Sequence, residues 1–357
     1  MRINKRLLIP IVLTVGVLSA LWFSPHPAGA GPAYQDGSTY STTGPVVIDI
    51  PLLGQKSQAD KRTVLEVTAT FPTDSPGAGV GPYPLIVFSH GYGGAPNGYQ
   101  HLIDYWASHG YVVLAPTHAD AAALKLGNPI EAMSKELSDP AACKQRIADM
   151  ENILNSLPLI EKKIPQLKGK IDSKHIAAAG HSFGAYTTQL LGGATVSYPG
   201  DKPGESFTDP RLRCVLMLSP QGANKMGLTP ISWDHMTGPA MTMTGSKDFP
   251  FDQKGGPATR LDPYKNAPAG DKYLVYIDGA NHFTFCDLES NMESRRPLLK
   301  RRHEREGMSQ TTMYDYVEAA SLAFLDAYLK GDGRAKSYLK STSMSTSSGG
   351  IVHVSSK

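Results

Sequence analysis

The feature that most restricts this chain is the run Ile176-Ala-Ala-Ala-Gly-His181-Ser182-Phe183-Gly184-Ala185. A short apolar stretch leads into Gly180-x-Ser182-x-Gly184, and a helix-like stretch from Ala185 to Leu191 leads out. Strand, sharp turn and helix in that order leave a serine at the tip of the turn, on strained backbone with its hydroxyl exposed. The glycines fit because a Cβ at either place would clash in so sharp a turn. A chain with 35 glycines can also produce this pattern by chance, and the serine is then an ordinary loop residue. The decision therefore rests on what lies elsewhere. A loop of backbone donors should stand upstream, and an acid and then a histidine downstream, each at a strand end.

The segments around the turn supply such strands. Val46–Ile50 and Thr63–Phe71 are β-branched and partly alternating, as half-buried strands are. Leu85–Phe88, Tyr111–Ala115, Cys214–Leu218, Ala240–Thr244 and Tyr273–Ile277 are short apolar runs suited to buried parallel strands, and His175–Ala179 enters the serine turn. Tyr99, Leu102, Ile103 and Trp106 have helical spacing up to a stop at Gly110. Ile147, Met150, Ile153, Leu154 and Leu157 form one face of a helix over Ala141–Leu157, and Thr312–Leu329 carries a similar stripe. Residues 117–140 read as a loop with a short helix covering one side of the site. Strands alternating with helices predict an α/β fold, a mostly parallel central sheet with helices on both faces. One domain spans 44–335 after an irregular stretch at 31–43. The Ser/Thr/Gly-rich end predicts a flexible tail over 336–357.

The histidine sought is His282, on the Gly279-Ala280-Asn281 turn after the strand at Tyr273–Ile277. There it can lean back over Ser182 as a general base. His181 is its rival, but beside the serine its side chain points away, and it is expected to pack or hydrogen-bond beneath the turn. The acid should fall between serine and histidine in chain order. Asp248 stands just past the strand at Ala240–Thr244, with Asp252 and Asp234 as rivals. Two backbone N–H groups are needed for the oxyanion. Phe183, after the serine, is one. Tyr92, in the loop Ser89-His90-Gly91-Tyr92-Gly93-Gly94, is the other, and its ring is also a candidate substrate contact.

The remaining features set the context. Arg2, Lys5 and Arg6, an apolar run from Leu7 to Phe23, and Ala28-Gly29-Ala30 predict a signal peptide over 1–30, cut after Ala30. An uncleaved anchor is the alternative. Export would place the protein outside the cell or in a periplasm, with no stable membrane insertion after cleavage. Cys143, Cys214 and Cys286 allow at most one internal pair, and Cys286 could brace the loop of His282. No Cys/His spacing resembles a zinc site, and no metal or cofactor is called for. A net charge of +3 is too small to argue for nucleic acid. The basic residues at 295–305 read as a solvated, salt-bridged segment or as a patch for an anionic surface. The chain is read as a monomer.

Taken together, Gly180-His-Ser-Phe-Gly184, His90-Gly-Tyr-Gly-Gly94 and the order Ser182, Asp248, His282 resemble the α/β-hydrolase family over about residues 45 to 330. Within it they are similar to secreted bacterial esterases, the group of platelet-activating-factor acetylhydrolases, dienelactone-hydrolase-like proteins and polyester-degrading cutinases. Ser219-Pro220-Gln221 resembles a segment of the polyester hydrolases in which a tryptophan closely follows and lines the groove. Here Asn224 stands near that place, and the nearest tryptophan, Trp233, is the candidate substrate contact. The resemblance implies hydrolysis of a small or polymeric carboxylic ester through an acyl-enzyme, without cofactor. A serine peptidase or acyltransferase on the same scaffold, or a binding protein that has lost catalysis, are the other readings.

Overall fold

The computed structural model describes residues 34, 40–53, 62–73, 80–121, 137, 139–252, 255–288 and 307–357. The expected signal peptide and the basic segment at 295–305 lie outside the described residues, as does most of 117–140.

Chain order runs β1 (Thr42–Pro51), β2 (Val64–Pro72), β3 (Tyr83–Ser89), α1 (Gln100–Ser108), β4 (Val112–Pro116), α2 (Pro140–Asn155), α3 (Leu157–Lys163), β5 (Ile171–His181) and α4 (Phe183–Leu191). A small ribbon of β6 (Thr195–Val196) and β7 (Glu205–Ser206) follows. Then come β8 (Leu212–Leu218), β9 (Ala240–Lys247), α5 (Asp262–Asn266), β10 (Lys272–Asn281), α6 (Gln310–Leu329), α7 (Gly333–Leu339), α8 (Ser343–Ser347) and β11 (Val352–Ser356).

Nine strands make one sheet in the order β1-β2-β4-β3-β5-β8-β9-β10-β11. The block from β4 to β10 is parallel, and antiparallel strands close both edges. This is the expected α/β architecture. Side-chain alternation divides the core in two. Leu85, Val87, Ala178, Val215 and Met217 face one cluster with Ile147, Met150 and Ile153 of α2 and Leu190 of α4. Ile86, Phe88, Ala179, Leu216 and Leu218 face the other, with Leu102 and Trp106 of α1 and Phe324 of α6. Each large apolar side chain so buried stabilises the fold by about 1.5–3 kcal/mol. Gly110 (φ 87) ends α1 as expected: its N–H donates to Ala107 O and that of Tyr111 to Trp106 O, the double bond of a left-handed helix stop.

The chain enters at β3, steps to β4 on one side and returns to β5 on the other. The carboxyl ends of β3 and β5 therefore flank a topological switch point, where open α/β sheets place their sites.

The end of the chain corrects one expectation. Residues 336–357 are not a loose tail. Asp332 caps α7 by accepting from Arg334 N–H, and β11 pairs antiparallel with β10 from Ile277↔Val352 to Tyr273↔Ser356. Ser/Thr/Gly composition hides four apolar anchors, Ala335, Leu339, Met344 and Val352, all buried. They dock against the sheet while β11 supplies hydrogen bonds to an edge that would otherwise lack a neighbour.

Candidate active site

Sheet register assembles the site. His181 pairs with Leu218, and Leu218 with Met243. Lys247 pairs with Asn281. The residues that follow these positions, Ser182, Ser219, Thr244, Asp248 and His282, thus come together at the carboxyl edge of four adjacent strands, β5, β8, β9 and β10. Asp248 and His282 are neighbours because β9 runs on to Lys247 and β10 to Asn281, further than their apolar runs suggest. The Gly279-Ala280-Asn281 segment is part of β10, with a register shift after Ile277 and Gly279 at φ 90.

Ser182 sits at φ 55, ψ −116 as the residue before α4. A side chain rarely occupies that region, and the cost is of order 1–3 kcal/mol. The flanking glycines are obligatory. A Cβ on Gly180 would stand 2.4 Å from Gly184 O, and one on Gly184 1.8 Å from Ser89 O. His282 Nε2 lies 2.9 Å from Ser182 Oγ, and its Nδ1 lies 3.1 Å from Asp248 Oδ1. Because the carboxylate only accepts, Nδ1 carries the proton and Nε2 is left to accept from the Ser182 hydroxyl.

The loop after β3 approaches from the other side of the switch point. A Cβ on Gly91 would be 3.5 Å from Ser182 Cβ and 3.0 Å from Tyr99 Oη. The contact with the serine would be an ordinary one; the tight approaches are to Tyr99 Oη and to His181 Nδ1 (3.3 Å), so glycine spares the Tyr99–His181 link beneath the loop. The half-buried Tyr92 follows, with its ring centroid 6.4 Å from that of Phe183.

Comparison with known proteins bears on the fold and the family. Residues 67–194, from β2 through α4, match the chlorophyllase family. A platelet-activating factor acetylhydrolase of Cavia porcellus is 27% identical over 281 residues, which cover 69% of this chain and 58% of that protein. One of Canis lupus familiaris is 30% identical over 239 residues, covering 58% of this chain and 48% of that protein. These matches support a serine-esterase-like α/β-hydrolase family for the chain. The chain spans about half the length of these relatives.

Three side chains beside the acid, Ser219, Thr244 and Arg260, carry no assignment from the sequence. Ser219, at φ 52, donates from Oγ to Asp248 Oδ1 (2.9 Å) and lies 2.7 Å from His282 Nδ1. Nδ1–H is therefore shared between Ser219 Oγ and the carboxylate. Thr244 Oγ1 donates to Asp248 Oδ2 at 2.8 Å. Arg260, from the turn Pro257–Leu261, is buried with Nε 3.4 Å from Asp248 Oδ1, and its Nη1 donates to the carbonyls of Ser219 (3.2 Å) and Pro220 (3.0 Å). The strand-end position before Pro220 was a usable signal for Ser219. Nothing local marks Arg260, which arrives 41 residues later.

These contacts set the charges. Burial opposes ionisation of Asp248, but the Arg260 guanidinium, the His282 imidazole and the Ser219 hydroxyl outweigh it and hold the carboxyl well below the usual range. Burial lowers the His282 pKa. The Asp248 hydrogen bond pulls it back up and the Arg260 charge pushes it further down, with a net lowering.

His181 is not placed as a base. Its Nδ1 is 2.8 Å from Tyr99 Oη and its Nε2 is 2.9 Å from the His282 carbonyl. The carbonyl accepts, so Nε2 carries the proton and Nδ1 accepts from Tyr99, whose oxygen in turn accepts from Gly91 N–H at 3.0 Å. Burial and the neighbouring His282 push the His181 pKa well down. Neutral His181 ties the Gly91 loop to the loop of His282. Asp252 pairs instead with Lys225, and Asp234 is exposed in a turn.

Trp233 is corrected. It is fully buried in the cluster with Leu228 and Met236, and its indole N–H donates to Gln189 Oε1 at 2.9 Å. A sealed, hydrogen-bonded indole cannot meet a substrate. The aromatic surface at the site comes from elsewhere: Phe251, half exposed, lies edge-on to His282 at 4.8 Å, and exposed Phe283 at 5.6 Å. No disulfide joins the three buried cysteines, and Cys286 Sγ donates to Phe283 O within the His282 loop. Among the described residues no helix is long and apolar enough to cross a membrane, and no cluster of three or more His, Cys, Asp or Glu could hold a metal.

Proposed function

We propose that the protein is a carboxylic ester hydrolase that works through a covalent acyl-enzyme on Ser182. The observation that carries the reading is the Ser182 Oγ to His282 Nε2 contact at 2.9 Å, on a serine held at positive φ. His282 takes the hydroxyl proton as Oγ attacks the ester carbonyl, and Asp248 stabilises the imidazolium that forms. The N–H groups of Phe183 and Tyr92 receive the oxyanion. The proton on Nε2 passes to the leaving alcohol, and water, activated by the same nitrogen, releases the acid.

The relatives are named for acetyl hydrolysis, and a short acyl group is the substrate class we extend to this chain. Phe251 and Phe283 would receive an apolar alcohol portion or the repeat of an apolar polyester. We also propose that the chain is exported and that its mature form begins at Gly31; N-terminal sequencing of the natively exported protein tests this.

The function is tested by p-nitrophenyl esters of increasing acyl length, with peptide substrates alongside. Turnover of acetyl or butyryl esters that disappears in Ser182→Ala is the expected result. Comparable peptide cleavage, or ester turnover unchanged in Ser182→Ala, would overturn it.

A further inference from the structure

The geometry points to Arg146, on α2, as the positioning residue that aims the Tyr92 N–H at the developing oxyanion; this rests on the ester-hydrolase reading above. Arg146 lies beneath the Gly91 loop, 2% exposed, in the described structure. Its guanidinium grips Asp120 with two bonds, Nε to Oδ1 at 3.0 Å and Nη2 to Oδ2 at 2.8 Å. The same group donates to two consecutive carbonyls of the loop, Nη1 to His90 O at 2.7 Å and Nη2 to Gly91 O at 3.2 Å. Asp120 Oδ2 returns to the loop by accepting from Gly93 N–H at 2.8 Å.

The carbonyl of Gly91 is the telling atom. Besides Arg146, it accepts from His90 Nδ1 at 2.7 Å and from Gly94 N–H at 3.1 Å. It belongs to the same peptide plane as the Tyr92 N–H. In a trans peptide the C=O and the following N–H point in opposite directions. Three donors at the carbonyl edge of the plane thus fix the direction of the N–H at its opposite edge. Neither Arg146 nor Asp120 needs to touch substrate. The guanidinium also lies 4.3 Å over the Phe183 ring, so one side chain braces both residues assigned to the oxyanion. Arg fits this work because its planar fork spreads its donors over three nitrogens that reach a carboxylate and two carbonyls at once, whereas lysine offers all its donors from one nitrogen.

His90 and His118 complete the support as neutral rings. His90 Nε2 accepts from His118 N–H at 3.1 Å, and His118 Nε2 accepts from Ser89 Oγ at 2.9 Å. Burial together with the Arg146 charge lowers both pKa values.

The test uses the full chain and three variants: Arg146→Lys, Arg146→Met, and Arg146→Met combined with Asp120→Asn. The double variant guards against misfolding, because it leaves no buried charge unpaired and keeps an acceptor for Gly93 N–H. kcat and KM on p-nitrophenyl acetate, inhibition by phenylboronic acid and thermal midpoint are measured together. A boronate adduct on serine carries a tetrahedral oxygen where the oxyanion would sit. The expected result is a kcat about 10²-fold lower in the folded double variant, with KM within about threefold and boronate inhibition weakened by a similar factor. Arg146→Lys should fall between it and wild type. A folded double variant with kcat within about threefold of wild type, or a loss confined to KM, would overturn the inference alone. A wild type that hydrolyses no ester and binds no boronate would overturn the ester-hydrolase reading, and this inference with it.

Discussion

Two Ser–His–Asp chains lie in this molecule, on either side of the same loop. In one, Ser182 Oγ meets His282 Nε2 at 2.9 Å and His282 Nδ1 faces Asp248 at 3.1 Å. In the other, Ser89 Oγ meets His118 Nε2 at 2.9 Å and His118 Nδ1 faces Asp149 at 2.8 Å. The hydrogen-bond distances hardly differ. The settings differ entirely. Ser182 is 6% exposed, at the tip of a positive-φ turn, beside a histidine that touches the exposed Phe251. Ser89 is the last residue of β3 and 0% exposed. Arg146 Nη1 donates to its oxygen, and Arg62 pairs with Asp149 from beyond. A substrate carbonyl has no approach to it. Residue types and distances alone do not distinguish the two serines; backbone strain and access do. The buried chain instead underpins the loop between them.

The comparison breaks most sharply on substitution of the serines. Ser182→Ala should lower kcat by about 10⁴–10⁶-fold, the range for loss of a serine nucleophile. Ser89→Ala should cost less than about tenfold in kcat and show instead as a lower thermal midpoint, because His118 Nε2 and Arg146 lose a partner. Equal kinetic losses would erase the distinction. Next in size, Asp248→Asn should lower kcat by about 10⁴-fold by permitting the wrong His282 tautomer. Asp149→Asn should act on stability, since it leaves Arg62 beside a neutral amide in a buried setting.

The pH profile sharpens the comparison further. His282 must be neutral to act as a base, and burial with Arg260 depresses its pKa. The limb of kcat/KM that rises with pH should therefore have its midpoint below the ordinary histidine value of about 6.5. Arg260→Met removes a positive charge beside the ring, and its midpoint should move upward. A downward movement would contradict the assigned electrostatics. Among the side chains that touch the Asp248–His282 pair, the smallest kcat loss is expected for Ser219→Ala, about 10-fold, from loss of one hydrogen bond to a charged acceptor.

The sequence could single out Ser182, Asp248 and His282, which the fold brings together, because their signals are local. Apolar runs marked the parallel strands, and Ser182, Asp248 and His282 each follow one. The elements it missed depend on distant pairing. Gly279-Ala280-Asn281 looks like a turn, and only its register against Lys247 makes it strand. The last strand was hidden because Val352 and Val354 stand in a Ser-rich stretch, and their neighbour in the sheet is some 75 residues away. Trp233 follows Pro220 and Gln221 in the chain, but chain proximity says nothing about which way an indole turns, and this one turns into the core. Arg146 lies between Gln145 and Ile147 on α2, and helical spacing gives no sign that a charged residue there is buried beneath a loop from β3.

One measurement tests the central claim most directly. The wild-type protein, Ser182→Ala and Ser89→Ala are treated with a fluorophosphonate, digested, and the labelled peptide is located by mass spectrometry. Labelling confined to the peptide carrying Ser182, absent in Ser182→Ala and present in Ser89→Ala, is the predicted result. Label on the Ser89 peptide, or label that persists in Ser182→Ala, would contradict it.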